Sequence, residues 1–150
     1  IKPFAFSSQP ETAPGEGGAF FVLTRGPQTA RYGRVAEVAR AVAVPAAGGV
    51  LQVLDACGLA TDETAYRAAV LPGVPVAGYA PLFGSAFSGS ALHLAAAGLM
   101  LRRQQPYPSP VRDNPHGVTL CEGAGAAPLT DVLCTRLDCA GDRRTIRLTR

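Results

Sequence analysis

Tryptophan is absent from this 150-residue sequence, lysine occurs once against thirteen arginines, and only two histidines are present. The four cysteines, Cys57, Cys121, Cys134 and Cys139, contain no Cys-x-x-Cys pair. Because two distant histidines and unpaired cysteines do not supply the four ligands of a zinc site, we expect no metal. The pattern instead favours cysteines that are small buried side chains in a reducing compartment, and so a cytoplasmic protein.

Familiar catalytic and cofactor motifs are also missing. The stretch FGSAFSGSAL (83–92) is rich in Gly and Ser but contains no Gly-x-Ser-x-Gly nucleophile elbow. We interpret its serines as helix caps and close-packing positions: Ser85, Ser88 and Ser90. Neither GEGGAF nor EGAGAAP has the spacing of a dinucleotide-binding loop, so no cofactor is expected. We interpret His93, in an apolar helix, and His116, in a loop, as structural residues.

The charge pattern points away from nucleic acid and from a membrane span. The net charge is +3, and the arginines cluster in RRQQ and DRRTIRLTR without interleaved aromatics. Such clusters are typical of a solvated face, with docking of an acidic protein as the less common alternative. Residues 68–101 carry no Asp, Glu, Lys or Arg, but prolines interrupt them, and the uninterrupted helical part, 88–101, is too short to cross a bilayer.

The order of apolar runs and turns predicts one α/β domain over residues 1–150. We predict a buried strand at 18–24 that pairs with a second strand within 31–44. Residues 50–59 are compatible with either a helix or a strand. Helices are predicted from Thr61 to about Val70 and from Ser85 or Ser88 to Arg103, and further strands at 74–80, 117–122, 131–139 and 144–150, the last two joined by a turn at 140–142.

The segment PGEGGAFFVL (14–23) places three glycines and a carboxylate directly before an apolar run. The glycines are compatible with an ordinary bulge turn, or with a backbone that passes close to a substrate or to another strand.

Several segments, taken in order, resemble the C-terminal part of the β-ketoacyl synthases. They are KPF (2–4), PGEGGAFFVL (14–23), RYGRVAEV (31–38), YAPLFGSAFSGSALHLAAAGLML (79–101), VRDNP (111–115) and DVLCTRLDCAGDRRTIRL (131–148). The resemblance implies a thiolase-like fold with a mixed sheet and a buried helix. In the family, the Gly-Glu-Gly loop, here Gly15, Glu16 and Gly17, lies near the active site. Residues 1–44 would then hold the strand pair that follows the nucleophile, which would lie upstream of Ile1.

Two departures from the family pattern bear on catalysis. The segment 54–73 contains no histidine where the family has its first catalytic histidine, and Ser85 stands at the position that resembles the second. The shortened segment, with Asp62, Tyr66 and Arg67, most resembles the chain-length factors that accompany aryl-polyene ketosynthases. We therefore expect a non-catalytic subunit with an acyl tunnel lined by Phe83, Gly84, Ser85, Phe87 and Ser88.

The resemblance also implies partners. A chain-length factor forms a heterodimer with an active ketosynthase, and an acyl carrier protein would dock on basic side chains: Arg102, Arg103, Arg143 and Arg144. Two alternatives stay open at this point. One is an active ketosynthase fragment completed by another chain, and the other is a small acyl-binding or interaction module.

Overall fold

A computed structural model describes residues 15–26, 28, 30–46, 49–56, 63–84, 86, 88–112, 114, 116–123 and 128–150. Five strands are present in these ranges: β1 (Arg34–Ala39), β2 (Gly49–Asp55), β3 (Val76–Ala77), β4 (Leu129–Leu137) and β5 (Arg143–Thr149). The helices are α1 (Glu63–Ala69), α2 (Ala80–Phe83) and α3 (Gly89–Arg103).

The five strands form one mixed sheet in the order β1-β5-β4-β2-β3. β2 is parallel to both of its neighbours, β3 and β4, whereas β5 is antiparallel to β4 and to β1. The predicted fold class is therefore confirmed as α/β, with a mixed sheet and a partly buried helix, α3, packed against it.

The interior strand β2 is buried on both faces, which is typical of a parallel strand covered by helices. Leu51 and Val53 belong to a core cluster that includes Ala97, Met100 and Leu101 of α3. Leu54 belongs to a second cluster, with Tyr66 and Ala69 of α1. Because side chains alternate along a strand, α3 and α1 cover opposite faces of the sheet.

A buried glutamine connects β2 to the end of α1. Gln52 is fully buried, and its Nε2 donates to the carbonyl of Ala69 at 2.9 Å and to Thr135 Oγ1 at 3.2 Å. Its Oε1 accepts from the backbone N–H of Leu71 at 3.0 Å. The side chain thus satisfies the carbonyl that the helix leaves without a partner at its last residue and an N–H of the segment that follows it.

The N-terminal strand pair predicted from the sequence is wrong in two respects. Residues 18–24 form no strand, and Phe20, Val22 and Leu23 are 103%, 93% and 81% exposed. The strand predicted within 31–44 is present as β1, but it pairs with β5, at the other end of the chain. The composition of the apolar run does not specify its partner: β1 pairs with β5, and Gly15 and Gly17 contact the residues just before α3.

The other predicted elements are found with changed bounds. Of the residues 50–59 that were compatible with helix or strand, 50–55 belong to strand β2, and 57–59 lie outside the described residues. The strand predicted at 74–80 is only the two residues of β3. Residues 117–122 contribute a single bridge, between Leu120 and Val76, in place of a strand. The hairpin of β4 and β5 is confirmed, with Gly141 in the left-handed region at φ +84°. Thr61, the predicted start of the first helix, lies outside the described residues.

The cysteines follow the prediction only in part. Cys121 and Cys134 are buried, and burial raises the pKa of Cys134 to about 12. Cys139 is exposed because it lies in the turn between β4 and β5, so the expectation of burial is wrong for it. Cys57 lies outside the described residues. None of the helices in the described ranges combines the length and apolarity that crossing a membrane requires.

Candidate functional site

A cluster of buried and half-buried polar side chains lies at the carboxyl ends of β2 and β4. Asp55, the last residue of β2, is in register with Arg136 of the parallel strand β4. α3 begins over this edge of the sheet and contributes Ser90 and His93. Asp55 and His93 are 2% and 1% exposed. We call Asp55, Ser90, His93 and Arg136 the carboxyl-edge cluster.

Ser90 joins the acidic and the basic members of the carboxyl-edge cluster. Its Oγ donates to Asp55 Oδ2 at 3.0 Å and accepts from Arg136 Nη1 at 2.9 Å. The carboxylate of Asp55 is thereby held at the N-terminus of α3, where the helix dipole favours a negative charge. Because the Ser90 proton is directed to Asp55, this hydroxyl is not paired with a histidine base in the way that an activated nucleophile is.

His93 uses both of its ring nitrogens in hydrogen bonds to backbone. Nδ1 lies 2.8 Å from the carbonyl oxygen of Gly89 and donates to it, and Nε2 accepts from the N–H of Tyr79 at 3.2 Å. These bonds assign the neutral tautomer with its proton on Nδ1. Burial lowers the pKa of His93, and the Asp55 carboxylate, 3.8 Å from Nδ1, opposes that shift. The interpretation of His93 as a satisfied core residue is confirmed.

One oxygen of the carboxyl-edge cluster has no hydrogen-bond donor among the described residues. It is Asp55 Oδ1, which is buried. Leaving a buried acceptor unpaired costs about 1–3 kcal/mol. The cluster can orient α3 on the sheet, because the Ser90 hydroxyl and both ring nitrogens of His93 are engaged in hydrogen bonds.

The predicted glycine loop contacts the segment just before α3. A Cβ built on Gly15 would lie 1.7 Å from the carbonyl oxygen of Phe83 and 2.9 Å from the Cα of Gly84. Ser88 Oγ donates a hydrogen bond to the carbonyl of Gly17. At Gly15, the glycine is therefore required by close backbone approach, as one of the two explanations proposed, but the neighbouring backbone is the end of helix α2 and not another strand.

The structure thus brings together several of the residues singled out from the sequence. Gly15 and Gly17 lie against Phe83, Gly84 and Ser88, while the side chain of Glu16, between the two glycines, is exposed. Ser85 and Phe87 lie outside the described residues. The half-buried ring of Phe83 meets His93 edge to face, with 5.1 Å between centroids, so this group adjoins the carboxyl-edge cluster.

The four arginines predicted to receive a carrier protein are not brought together. Arg102 and Arg103 end α3, while Arg143 and Arg144 begin β5. Arg102 lies beside Arg150, which directly follows the other end of β5. Seven residues of strand at about 3.4 Å each place the two pairs roughly 20 Å apart, at opposite edges of the sheet.

The sequence analysis missed two members of the carboxyl-edge cluster. Asp55 and Arg136 were not singled out, and Ser90 was interpreted only as a capping or packing residue. The available signal was the run VLQVLD, in which a polar residue interrupts an apolar strand and an acidic residue ends it. No group of three or more His, Cys, Asp or Glu side chains among the described residues is placed to hold a metal ion.

No protein-family model and no curated protein matches the chain. Among solved structures, it is similar to a β-ketoacyl synthase from Burkholderia phymatum, with a TM-score of 0.47 and 19% identity, over 68% of this chain and 28% of that one. It is also similar to a type II polyketide synthase acyl-carrier protein in complex with its ketosynthase bound to the hexaketide. That match has a TM-score of 0.40 and 19% identity, over 51% of this chain and 20% of the other. The chain therefore spans less than a third of either structure's matched chain.

Proposed function

We propose that this chain is a ketosynthase-like subunit of the chain-length-factor type. It pairs with an active β-ketoacyl synthase that elongates acyl chains on an acyl carrier protein, and it shapes the cavity in which the chain grows without itself making bonds. The motif resemblance over residues 2–148 supports a ketosynthase-like origin. The burial and hydrogen bonds of His93 and the exposed position of His116 support the non-catalytic role.

A decarboxylating condensing enzyme needs imidazole N–H groups directed at the thioester oxygen, where negative charge develops. The sequence contains only His93 and His116. His93 is 1% exposed, its Nδ1 proton is bound to the Gly89 carbonyl, and its Nε2 accepts from Tyr79. His116 is exposed in a loop. Neither histidine is placed to stabilise an enolate in a shared pocket, which supports a role other than catalysis.

The contacts of the glycine loop support a wall-forming role. Gly15 and Gly17 fix the loop against Phe83, Gly84 and Ser88. Phe83 packs against the core beside His93, so its ring has a defined position and can set the end of an apolar cavity. Its neighbour Leu82 is 70% exposed and points away from this packing.

Exposed apolar side chains support assembly with another subunit. Phe20, Val22 and Leu23, which lie within four positions of the sequence, are between 81% and 103% exposed. Apolar residues grouped in this way are typical of surfaces that bind another protein.

The catalytic part of the proposal is tested in the assembled heterodimer by following decarboxylation of malonyl carrier protein. We expect Ser85→Ala to leave the rate unchanged, and replacement of the partner's catalytic histidines, which stabilise the enolate, to abolish it. A loss of about a hundredfold or more with Ser85→Ala, a size typical of removing one transition-state donor, would mean that this chain does chemistry.

The wall-forming part is tested by the length distribution of the products, read by mass spectrometry. Phe83→Ala and the milder Phe83→Leu should lengthen the products, because each enlarges the cavity. Leu82→Ala is the matched control and should leave the distribution unchanged. Equal effects of the substitutions at positions 82 and 83 would show that Phe83 does not line the tunnel.

A further inference from the structure

A cleft lined by four arginines lies at the edge of the sheet opposite the carboxyl-edge cluster. Its volume is about 350 Å³, and it is lined by Ala30, Arg31, Gly33, Arg34, Leu101, Arg102 and Arg150. We call it the arginine cleft. Ligand pockets have volumes from about 300 Å³ upward, so this cleft has room for a compact group.

Close packing fixes the backbone beneath the arginine cleft, while its four arginine side chains are exposed. Gly33 has φ +114°, and a Cβ there would lie 2.9 Å from the carbonyl oxygen of Thr149 and 3.2 Å from Leu101 Cδ1. The segment that carries Arg31 and Arg34 is therefore pressed onto the end of β5 and the last turn of α3. Because Leu101 is 1% exposed, the floor of the cleft belongs to the protein core.

Arg102 is positioned by an aromatic ring. Its guanidinium carbon lies 4.9 Å from the centroid of Tyr32, a distance at which a cation and a ring attract each other. Tyr32 in turn is seated on Gly98 of α3, where a Cβ would lie 3.3 Å from the tyrosine Cβ. The arginine is thus held beside the cleft by residues that do not themselves line it.

Among the described residues, no acidic side chain balances the charges of the arginine cleft. No lining residue is acidic. Elsewhere in the described residues, Arg147 pairs with Asp131 at 2.7 Å and Arg40 approaches Asp142 at 3.9 Å. Within the part of the chain that the structure describes, no ion pair involves any of the four cleft arginines. Four guanidiniums around one concavity repel each other and raise the local concentration of anions.

We propose that the arginine cleft binds a compact polyanion, namely a diphosphate group, either free or carried by a small molecule. Guanidinium groups present a planar fork of donors that matches the oxygens of phosphate. A single carboxylate would neutralise only one of the four charges, whereas a diphosphate carries several in a small volume. The assignment stands on the cleft itself and does not depend on the proposed function.

The test is a calorimetric titration of the 150-residue chain at low ionic strength with pyrophosphate, inorganic phosphate and adenosine diphosphate. The chain is co-expressed with a ketosynthase if that is needed to keep it in solution. We expect pyrophosphate to bind once per chain, more tightly than phosphate. Arg34→Gln and Arg102→Gln should each weaken binding about tenfold or more, because each removes charge-assisted hydrogen bonds.

Arg144→Gln is the control, because it removes the same charge at the opposite edge of the sheet and should leave binding unchanged. If Arg102→Gln lowers the melting temperature without ligand, Arg102→Lys replaces it, since lysine keeps the charge and loses the fork. Equal affinity for pyrophosphate and adenosine diphosphate would mean that the diphosphate alone is recognised. Tighter binding of adenosine diphosphate would identify a nucleoside diphosphate.

Three results would overturn the proposal. The first is no binding of pyrophosphate, and the second is binding that Arg144→Gln weakens as much as Arg34→Gln does. The third is that Arg34→Gln and Arg102→Gln weaken the docking of an acidic carrier protein while pyrophosphate does not compete with it.

Discussion

Protonation of His93 provides a quantitative test of the carboxyl-edge cluster. Burial lowers the pKa of this histidine in the folded chain, and a proton on Nε2 would break its hydrogen bond from the Tyr79 N–H. The unfolded chain has no such restriction and takes up a proton near pH 6.5. Stability is therefore fully present above pH 6.5 and is lost as the pH falls below it, because protons then favour the unfolded state.

The size of this effect has an upper limit. One histidine that stays neutral in the folded state while it titrates in the unfolded state removes up to about 1.4 kcal/mol of unfolding free energy between pH 7.5 and pH 5.5. The nearby carboxylate of Asp55 attracts the proton and reduces the loss. Urea unfolding followed by circular dichroism across this range measures it.

Two variants isolate the contribution of His93 from that of the carboxylates. His93→Gln removes the titrating group, so its stability should fall less with acidification than that of the original chain. His116→Gln removes the other histidine, which is exposed, and should leave the pH dependence unchanged. If the original chain and His93→Gln lose the same free energy of unfolding between pH 7.5 and pH 5.5, then His93 does not stay neutral in the folded chain as its hydrogen bonds indicate.

Two further substitutions test the fold around the site. Gln52→Leu should lower the free energy of unfolding by about 2 kcal/mol or more, because a buried backbone carbonyl and a backbone amide lose their partners. The control Gln105→Leu, at an exposed position, should change the free energy of unfolding little. Equal losses in the two variants would contradict the buried network around Gln52. Gly15→Ala should release residues 15–24 and speed tryptic cleavage after Arg25, because a Cβ there meets a backbone carbonyl at 1.7 Å. Gly18→Ala is the control and should leave the rate of cleavage unchanged, because a Cβ at Gly18 has no neighbour within 4 Å. If cleavage is also unchanged in Gly15→Ala, the loop does not pack against Phe83 as described.

The elements that the sequence predicted well are those specified by neighbouring residues. α3 follows from a charge-free run that ends in Arg102 and Arg103, where the helix dipole favours basic side chains. The hairpin of β4 and β5 follows from the turn around Gly141, whose positive φ suits glycine. In both cases the residues that predict the element lie within it or directly beside it in the sequence.

The pairing of β1 and the exposure of Phe20 depend on distant parts of the chain. The run AFFVLT has the composition of a buried strand, but burial requires a partner strand, and composition does not specify one. The partner of β1 is β5, more than a hundred positions away in the sequence. Strand pairing brings such distant segments together, and a single sequence does not specify which strands pair.

The carboxyl-edge cluster was missed for the same reason. Ser90 lies 35 positions from Asp55 and 46 from Arg136, and each is unremarkable in its local context. Only the parallel pairing of β2 and β4 and the placement of α3 above them bring the three side chains together.

α3 connects the two polar sites but keeps them apart. Its 15 residues extend about 22 Å, from the carboxyl-edge cluster at its N-terminus to Arg102 of the arginine cleft near its C-terminus. Changes separated by more than about 10 Å, with no shared partners, are normally independent. His93→Gln should therefore leave pyrophosphate binding unaltered, and Arg34→Gln should leave the pH dependence of stability unaltered. A variant at one end that altered the measurement at the other would mean that α3 shifts as a rigid body on the sheet, and that the anchoring by Asp55, Ser90 and Arg136 is weaker than their hydrogen bonds indicate.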